Sequence, residues 1–171
     1  MVDGEGDPNT SQTYREAIEA LFSLSYTLKF TLKKCPRAVD YGVMPLESLW
    51  WADDPNAFIQ AGKSAWKWTA MILQPDLITK PDVDRAVDEV RKKKNPAALD
   101  RVRFETLHEG ASAQILHLGP FSAEGPTIQR MHHFIHAAGK ELRGRHHEIY
   151  LSDPRQTAPE KLKTILRQLM Q

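Results

Sequence analysis

The sequence contains very little cysteine: Cys35 is the single cysteine among 171 residues. An intramolecular disulfide is therefore excluded, as is usual for proteins of a reducing cytosol. No hydrophobic run approaches the roughly 20 residues that cross a bilayer, and the start, MVDGEG, is not the basic and then apolar pattern of a signal peptide. These absences predict a cytoplasmic protein without a membrane partner.

An excess of charge of one sign is also lacking, because 23 basic and 22 acidic side chains leave a formal net charge of +1. No global field would recruit nucleic acid, and we predict no nucleic-acid partner. A glycine-rich phosphate loop and a serine nucleophile elbow are absent as well. What is present is 41% hydrophobic and 26% charged residues, the composition of an ordinary globular domain.

Apolar periodicity and turn residues predict a mixture of helices and strands. Residues 3–12 have the composition of a turn, and Pro36 is expected to end the first helix. The final segment, 160–169, fits a helix by its leucine spacing and a strand by its alternation. The other predicted elements are helices over 13–34, 79–95 and 126–138, and strands over 41–51, 66–73, 102–107, 113–118 and 146–151, with 102–107 and 113–118 forming a hairpin.

The predicted order strand–helix–strand–strand occurs twice along the chain. We therefore expect one domain over 1–171, made of pseudo-repeats over 1–76 and 101–171 that are joined by the helix at 79–95. If two helix-backed halves meet with their sheets forming a concave surface, the cleft between them is a common place for a ligand.

The segment 146–151 carries the strongest chemical signal in the sequence. Strand alternation divides it into two faces, with His147, Ile149 and Leu151 on one and His146, Glu148 and Tyr150 on the other. We expect the first, aliphatic face to pack on a helix. A glutamate that points inward is costly unless it is paired, hydrogen-bonded or neutral. Glu148 is therefore either a salt-bridged or solvated strand residue or a carboxylate held for a ligand or a water.

Aromatic residues are concentrated on two predicted strands, which carry Trp50, Trp51, Trp66 and Trp68. Each of them alone is most often part of a core. Together with Tyr41 and Tyr150 they could wall a flat slot, because indole faces stack on flat ligands and attract cations by about 0.5–2 kcal/mol. Alternation separates Trp50 from Trp51, so not all four indoles can face that slot. The predicted ligand-binding set is completed by Met44, Met71, His117 and Phe121.

The histidines raise the alternative of a metal site. His132 and His136 are four residues apart on a predicted helix and so share a face. The glutamate of the HExxH pattern is missing, because His133 follows His132. We interpret these histidines as solvated or hydrogen-bonded, and we predict neither a metal nor a cofactor.

Several separated segments span nearly the whole chain: Val2–Asn9, Leu24–Lys29, Met44–Glu47 with Trp50 and Trp51, Ile115–Phe121, Glu124–Ile128 and His146–Arg155. Together they resemble stand-alone proteins with a GyrI-like domain. The resemblance implies an α+β fold of duplicated strand–helix–strand–strand modules with a ligand cleft between the halves, in which 160–169 is a strand. In drug-binding members of that family, the glutamate of the last module meets cationic ligands, and Glu148 stands at the matching place.

The resemblance implies a small-molecule partner and leaves three functions open. One subfamily resembles hydrolases that open the cyclopropane ring of DNA-alkylating natural products in an aromatic cage. Our first hypothesis is such an enzyme, in which Glu148 activates a water and Tyr150 hydrogen-bonds the guest's carbonyl. The second is a binding or sensing module without turnover. The third, a topoisomerase inhibitor that mimics nucleic acid, needs an acidic surface that the near-neutral charge does not favour.

Overall fold

The computed structural model describes residues 1–34, 38–53 and 65–171. Cys35 and Pro36, on which two of the expectations above rest, lie outside the described residues. In chain order the regular elements are β1 (Val2–Glu5), α1 (Gln12–Lys34), β2 (Leu46–Trp51), β3 (Lys67–Ile72), α2 (Lys80–Lys93), β4 (Ser112–Leu118), α3 (Gly125–Ala137), β5 (Leu142–Tyr150) and β6 (Lys163–Met170). Of these helices, none combines the length and the hydropathy needed to cross a bilayer.

The chain divides into two compact units, of which the first comprises Met1–Leu46 with Ala52–Thr106. Here β1 and β3 pair antiparallel, with Val2 opposite Ala70 and Gly4 opposite Trp68. Helix α2 begins with a capping box, in which the backbone N–H of Thr79 donates to the Asp82 carboxylate. Helices α1 and α2 bury a shared aliphatic cluster made of Leu24, Leu28, Leu32, Ile78, Val83, Ala86, Val90 and Leu99.

The second unit comprises Glu47–Trp51 with Leu107–Gln171. Its strands form an antiparallel sheet in the order β2, β5, β6, β4. Helix α3 packs on one face of this sheet, where Met131 and Ile135 contact Ala113 and Leu166. The apolar positions of α3 recur at helical spacing, which is why one side of the helix is buried and the other exposed.

The α+β fold is confirmed, and the segment 160–169 contains the strand β6, as the family resemblance implied. The predicted strand over 102–107 is wrong, because residues 102–110 form no strand. Arg103 there pairs with Asp3 and Glu105, and β6 takes the place beside β4 that the predicted hairpin would have used.

The expected turn over residues 3–12 and the expected strand over 41–51 are each wrong at one end. Val2–Glu5 forms β1, in which Thr69 donates a hydrogen bond to Asp3 across the pair at 2.6 Å. Strand β2 begins at Leu46, immediately after Pro45, because proline cannot donate a backbone hydrogen bond to a strand ladder.

Candidate functional site

Glu148 lies on the helix-covered face of the second unit's sheet. It pairs across the strands with Leu166, and residues paired in this way point to the same side. Leu166 belongs to the cluster beneath α3. The expectation that the face carrying His147 and Ile149 packs on a helix is therefore wrong, because the aliphatic residues that α3 covers lie on β4 and β6 and on Glu148's side.

The Glu148 carboxylate is buried but is not neutralised by a cation with a permanent charge. The residue is 9% exposed, and its Oε2 accepts a hydrogen bond from the Tyr150 hydroxyl at 2.7 Å. The other oxygen, Oε1, lies 3.5 Å from Nε2 of His146. Within the described ranges no lysine or arginine forms an ion pair with Glu148. A carboxylate in this setting retains acceptor capacity for a cation or a water.

Tyr150 links Glu148 to an indole and to a phenyl ring. Its hydroxyl oxygen accepts a hydrogen bond from Nε1 of Trp50 at 3.1 Å, while its proton is donated to Glu148. Phe121 meets the Tyr150 ring edge to face at a centroid distance of 5.6 Å. Trp50 is almost fully buried. Trp50, Tyr150 and Glu148 thus form a chain of hydrogen bonds, and the ring of Phe121 borders it.

His117 holds the turn that carries Phe121. Its Nδ1 and the Thr127 hydroxyl are 3.0 Å apart, and its Nε2 faces the backbone oxygen of Pro120 at 3.3 Å. Gly119 between them has φ near +129°, a conformation that favours glycine. His117 is buried, and both ring nitrogens are used to fix this turn.

The same face contains further buried polar groups, of which Thr164 was not predicted from the sequence. The hydroxyl of Thr164 and the Nε2 atoms of His132 and His146 are buried and form no hydrogen bond with any described residue. Burial lowers the pKa of the His132 imidazole, and the charges of His146 and His136 lower it further. The period-2 pattern of β6 places Thr164 inward, and this was the one available signal for it. Among the described residues there is no cluster of three or more metal-ligating side chains.

Of the remaining predicted ligand-binding residues, all but Trp51 belong to the first unit. Trp68 is fully buried in the first unit, where its ring packs edge to face on Tyr14 at 4.9 Å. Trp51, on the other face of β2 from Trp50, is covered by the guanidinium of Arg145 at 3.6 Å from the ring centroid. The rest belong to the first unit: half-buried Tyr41, whose pKa is raised by burial, exposed Met44, half-buried Trp66 and buried Met71.

The structure therefore brings together one part of the predicted set. Trp50, His117, Phe121, Glu148 and Tyr150 belong to the second unit, and all but His117 join in one contact chain. The predicted roles of Tyr41, Met44, Trp51, Trp66, Trp68 and Met71 as ligand contacts stay predictions.

Comparison with known proteins gives a consistent result. A family model described as a GyrI-like small molecule binding domain matches residues 1–167. A crystal structure of an uncharacterized conserved protein from Listeria innocua has a TM-score of 0.91 and 38% sequence identity, covering 99% of this chain and 85% of that one. A crystal structure of a hydrolase from Listeria innocua has a TM-score of 0.86 and 37% identity over the same shares. No curated protein gives a significant match.

Proposed function

Because the chain belongs to the GyrI-like small molecule binding domain family, we propose that it binds flat, largely apolar or cationic molecules at Glu148 and hydrolyses electrophilic ones that contain a cyclopropane. The observation that carries this proposal is a carboxylate at 9% exposure whose hydrogen-bond donor is Tyr150. The similar Listeria innocua structure described as a hydrolase supports an enzyme.

Binding would follow from the aromatic border and from a carboxylate that no lysine or arginine of the described ranges pairs with. Phe121 and Tyr150 offer ring edges and faces for a planar guest, and such contacts are each worth about 0.5–1.5 kcal/mol. A cation placed at Glu148 would neutralise a carboxylate that burial otherwise penalises, so its affinity gains from the low local dielectric.

Hydrolysis would use the same carboxylate as a general base. Glu148 takes one proton from a water as the water oxygen bonds to the cyclopropane methylene. The strained C–C bond breaks, and its electron pair moves to a conjugated carbonyl, which becomes an oxyanion. A general base contributes about 10²–10⁴-fold, and the ring strain supplies much of the driving force.

Tyr150 would complete the proton balance. Before the reaction, the Tyr150 hydroxyl donates a hydrogen bond to the Glu148 carboxylate, and its oxygen accepts one from the Trp50 indole. Once Glu148 is protonated, the carboxylic acid becomes a donor and the Tyr150 hydroxyl can turn to the guest. Tyr150 then gives its proton to the oxyanion and receives the one that Glu148 took from water. The net change is the addition of one water to the guest.

The test is product analysis with an alkylator whose cyclopropane is conjugated to a carbonyl. Wild-type protein is expected to give the water adduct by mass spectrometry, and Glu148→Gln to slow its formation at least 100-fold, the effect of losing a general base. Glu141→Gln is the matched control, because Glu141 is an exposed glutamate immediately before β5.

The outcomes separate the two halves of the proposal. If the wild type forms no adduct but binds a planar cation such as ethidium, and Glu148→Gln loses that binding, the chain is a binding module without turnover. If Glu148→Gln retains both turnover and ethidium binding at the wild-type level, the assignment of Glu148 is wrong.

A further inference from the structure

A charge network centred on the buried His147, with half-buried partners, lies on the opposite face of the second unit's sheet from Glu148. His147 is 1% exposed, and its Nε2 and Nδ1 are each 2.9 Å from a carboxylate oxygen, of Glu47 and of Glu109 respectively. Arg167 pairs with the second oxygen of Glu109. We call Glu47, His147, Glu109 and Arg167 the back-face network.

The geometry of the back-face network defines the charge of His147. A neutral imidazole carries one N–H, so only the imidazolium can donate to Glu47 and Glu109 at once. Burial alone would lower the pKa of His147, but the hydrogen bonds and charges of Glu109 and Glu47 together raise it. Burial would raise the pKa of Glu109, and His147 and Arg167 outweigh it and lower that pKa. The positive charges of His147 and Arg167 then balance the negative charges of Glu47 and Glu109.

The network has members on three strands of the second unit's sheet and contacts the fourth. Glu47 is on β2, His147 on β5 and Arg167 on β6, and Arg167 also donates to Gln114 on β4 at 3.0 and 3.1 Å. His147, Arg167 and Gln114 are consecutive partners in the strand register. Glu109 joins from the irregular segment before β4. The network therefore ties the His147 position of β5 to both neighbouring strands.

The network restrains β5 next to an irregularity in its pairing with β6. The register between β5 and β6 is interrupted between Arg143 and His146, and Gly144 in that interval has φ near +68°. A bulge weakens the ladder locally. His147 is the second residue after the interruption and immediately precedes Glu148, so its orientation decides the direction in which the Glu148 side chain leaves the strand.

We propose that the back-face network is a positioning device for Glu148, with His147 and Glu109 as its central residues. The proposal rests on the proposed function for the role of Glu148, but it makes a claim about this chain that needs no substrate. Losing the network should loosen β5 at His147 and let the Trp50–Tyr150–Glu148 chain open more often.

The test is hydrogen exchange of the Trp50 indole N–H, measured by NMR and divided by the exchange rate of Trp68. Trp68 is buried in the first unit and reports global opening. In Glu109→Gln we expect the ratio to rise about tenfold, and ethidium affinity to fall about tenfold, as for a group displaced by a fraction of an ångström. Glu105→Gln, the same change on the same segment, should leave both unchanged, because Glu105 pairs with Arg103 in the first unit.

Two results would overturn the positioning role. A network that only stabilises the fold would raise Trp50 and Trp68 exchange in parallel, and one without influence on β5 would change neither. Should Glu109→Gln fail to fold, the unmodified protein answers the same question. The ratio should rise as pH increases through the raised pKa of His147, where the imidazolium loses its proton and Glu47, Glu109 and Arg167 are left with excess negative charge. If the wild type binds no ethidium, the proposed binding is contradicted while the exchange ratio still decides the inference.

Discussion

Each unit covers one face of an antiparallel sheet with a helix, yet the two interiors differ in polarity. In the first unit α1 packs on β1 and β3, and the buried polar residues described there are Ser25 and Thr69. The second unit's described interior contains Ser48, His117, Glu124, His146, His147, Glu148, Thr164 and Gln168. The second interior therefore holds more buried polar residues than the first, although each contains buried polar atoms without a hydrogen-bond partner among the described residues, such as Nε1 of Trp68 in the first and the hydroxyl of Thr164 in the second.

Under the proposed function, the more polar interior is the one that binds a ligand. Buried polar groups reduce stability unless they are hydrogen-bonded, so an interior with unpaired groups is less stable than it could be. Such losses are expected where a protein recognises a ligand. Replacing a buried polar group by an apolar one should then change the stability in opposite directions in the two units. Disturbing the packing should destabilise both.

The largest expected effect tests the structural core of the first unit. Trp68 is fully buried against Tyr14, and Trp68→Ala should reduce the free energy of unfolding by about 3–5 kcal/mol because it leaves a large cavity. Urea denaturation measures this loss. A loss below about 1 kcal/mol would show that Trp68 does not organise this core, and the contrast between the units would fail.

A smaller effect is expected at Gly4, on the strand beside Trp68. A Cβ on Gly4 would overlap the Trp68 ring, so Gly4→Ala forces the indole or the strand to move. Overpacking of this kind costs about 1–3 kcal/mol. Gly42→Ala is the control, because its Cβ would meet nothing within 4 Å, and calorimetry should find its melting temperature close to that of the wild type. Equal melting temperatures for the two variants would contradict the packing argument.

Sequence patterns predicted the fold well where local periodicity matches tertiary packing. The apolar stripes of α1 and α2 and the alternation around Trp68 were sufficient to predict these two helices and β3. The segment 102–107 has strand-like alternation but forms no strand, because Arg103 pairs with Asp3. The glycine-rich composition around Asp3 concealed that this residue lies in β1. For 160–169, periodicity allowed two structures, and the strand is decided by long-range pairing with β4 and β5.

The candidate site was predictable for residues that share a strand and not for those that meet across strands. Alternation along β5 correctly placed His146, Glu148 and Tyr150 together on one face. The hydrogen bond from Trp50 to Tyr150 depends on the register between β2 and β5, which no local pattern encodes. For the same reason the partners of His147, which come from β2 and from residue 109, could not be inferred from the sequence.

The smallest expected effects come from two buried threonines, one in each unit. Thr69 donates a hydrogen bond to Asp3 at 2.6 Å, whereas the hydroxyl of Thr164 forms none with the described residues. Thr69→Val should therefore cost about 1.5 kcal/mol, the usual value for a bond to a charged group, with Arg103 still pairing with Asp3. Thr164→Val should leave the stability unchanged or raise it by up to about 1 kcal/mol.

The pair of threonine variants isolates polarity because valine keeps the shape of threonine in both units. Denaturant unfolding of the two variants gives the sign of each change. If Thr164→Val destabilised the protein as much as Thr69→Val, the second unit's interior would be internally satisfied and its polarity would need no ligand. If Thr164→Val is neutral or stabilising and also weakens ethidium binding, the hydroxyl is maintained for recognition at the expense of stability.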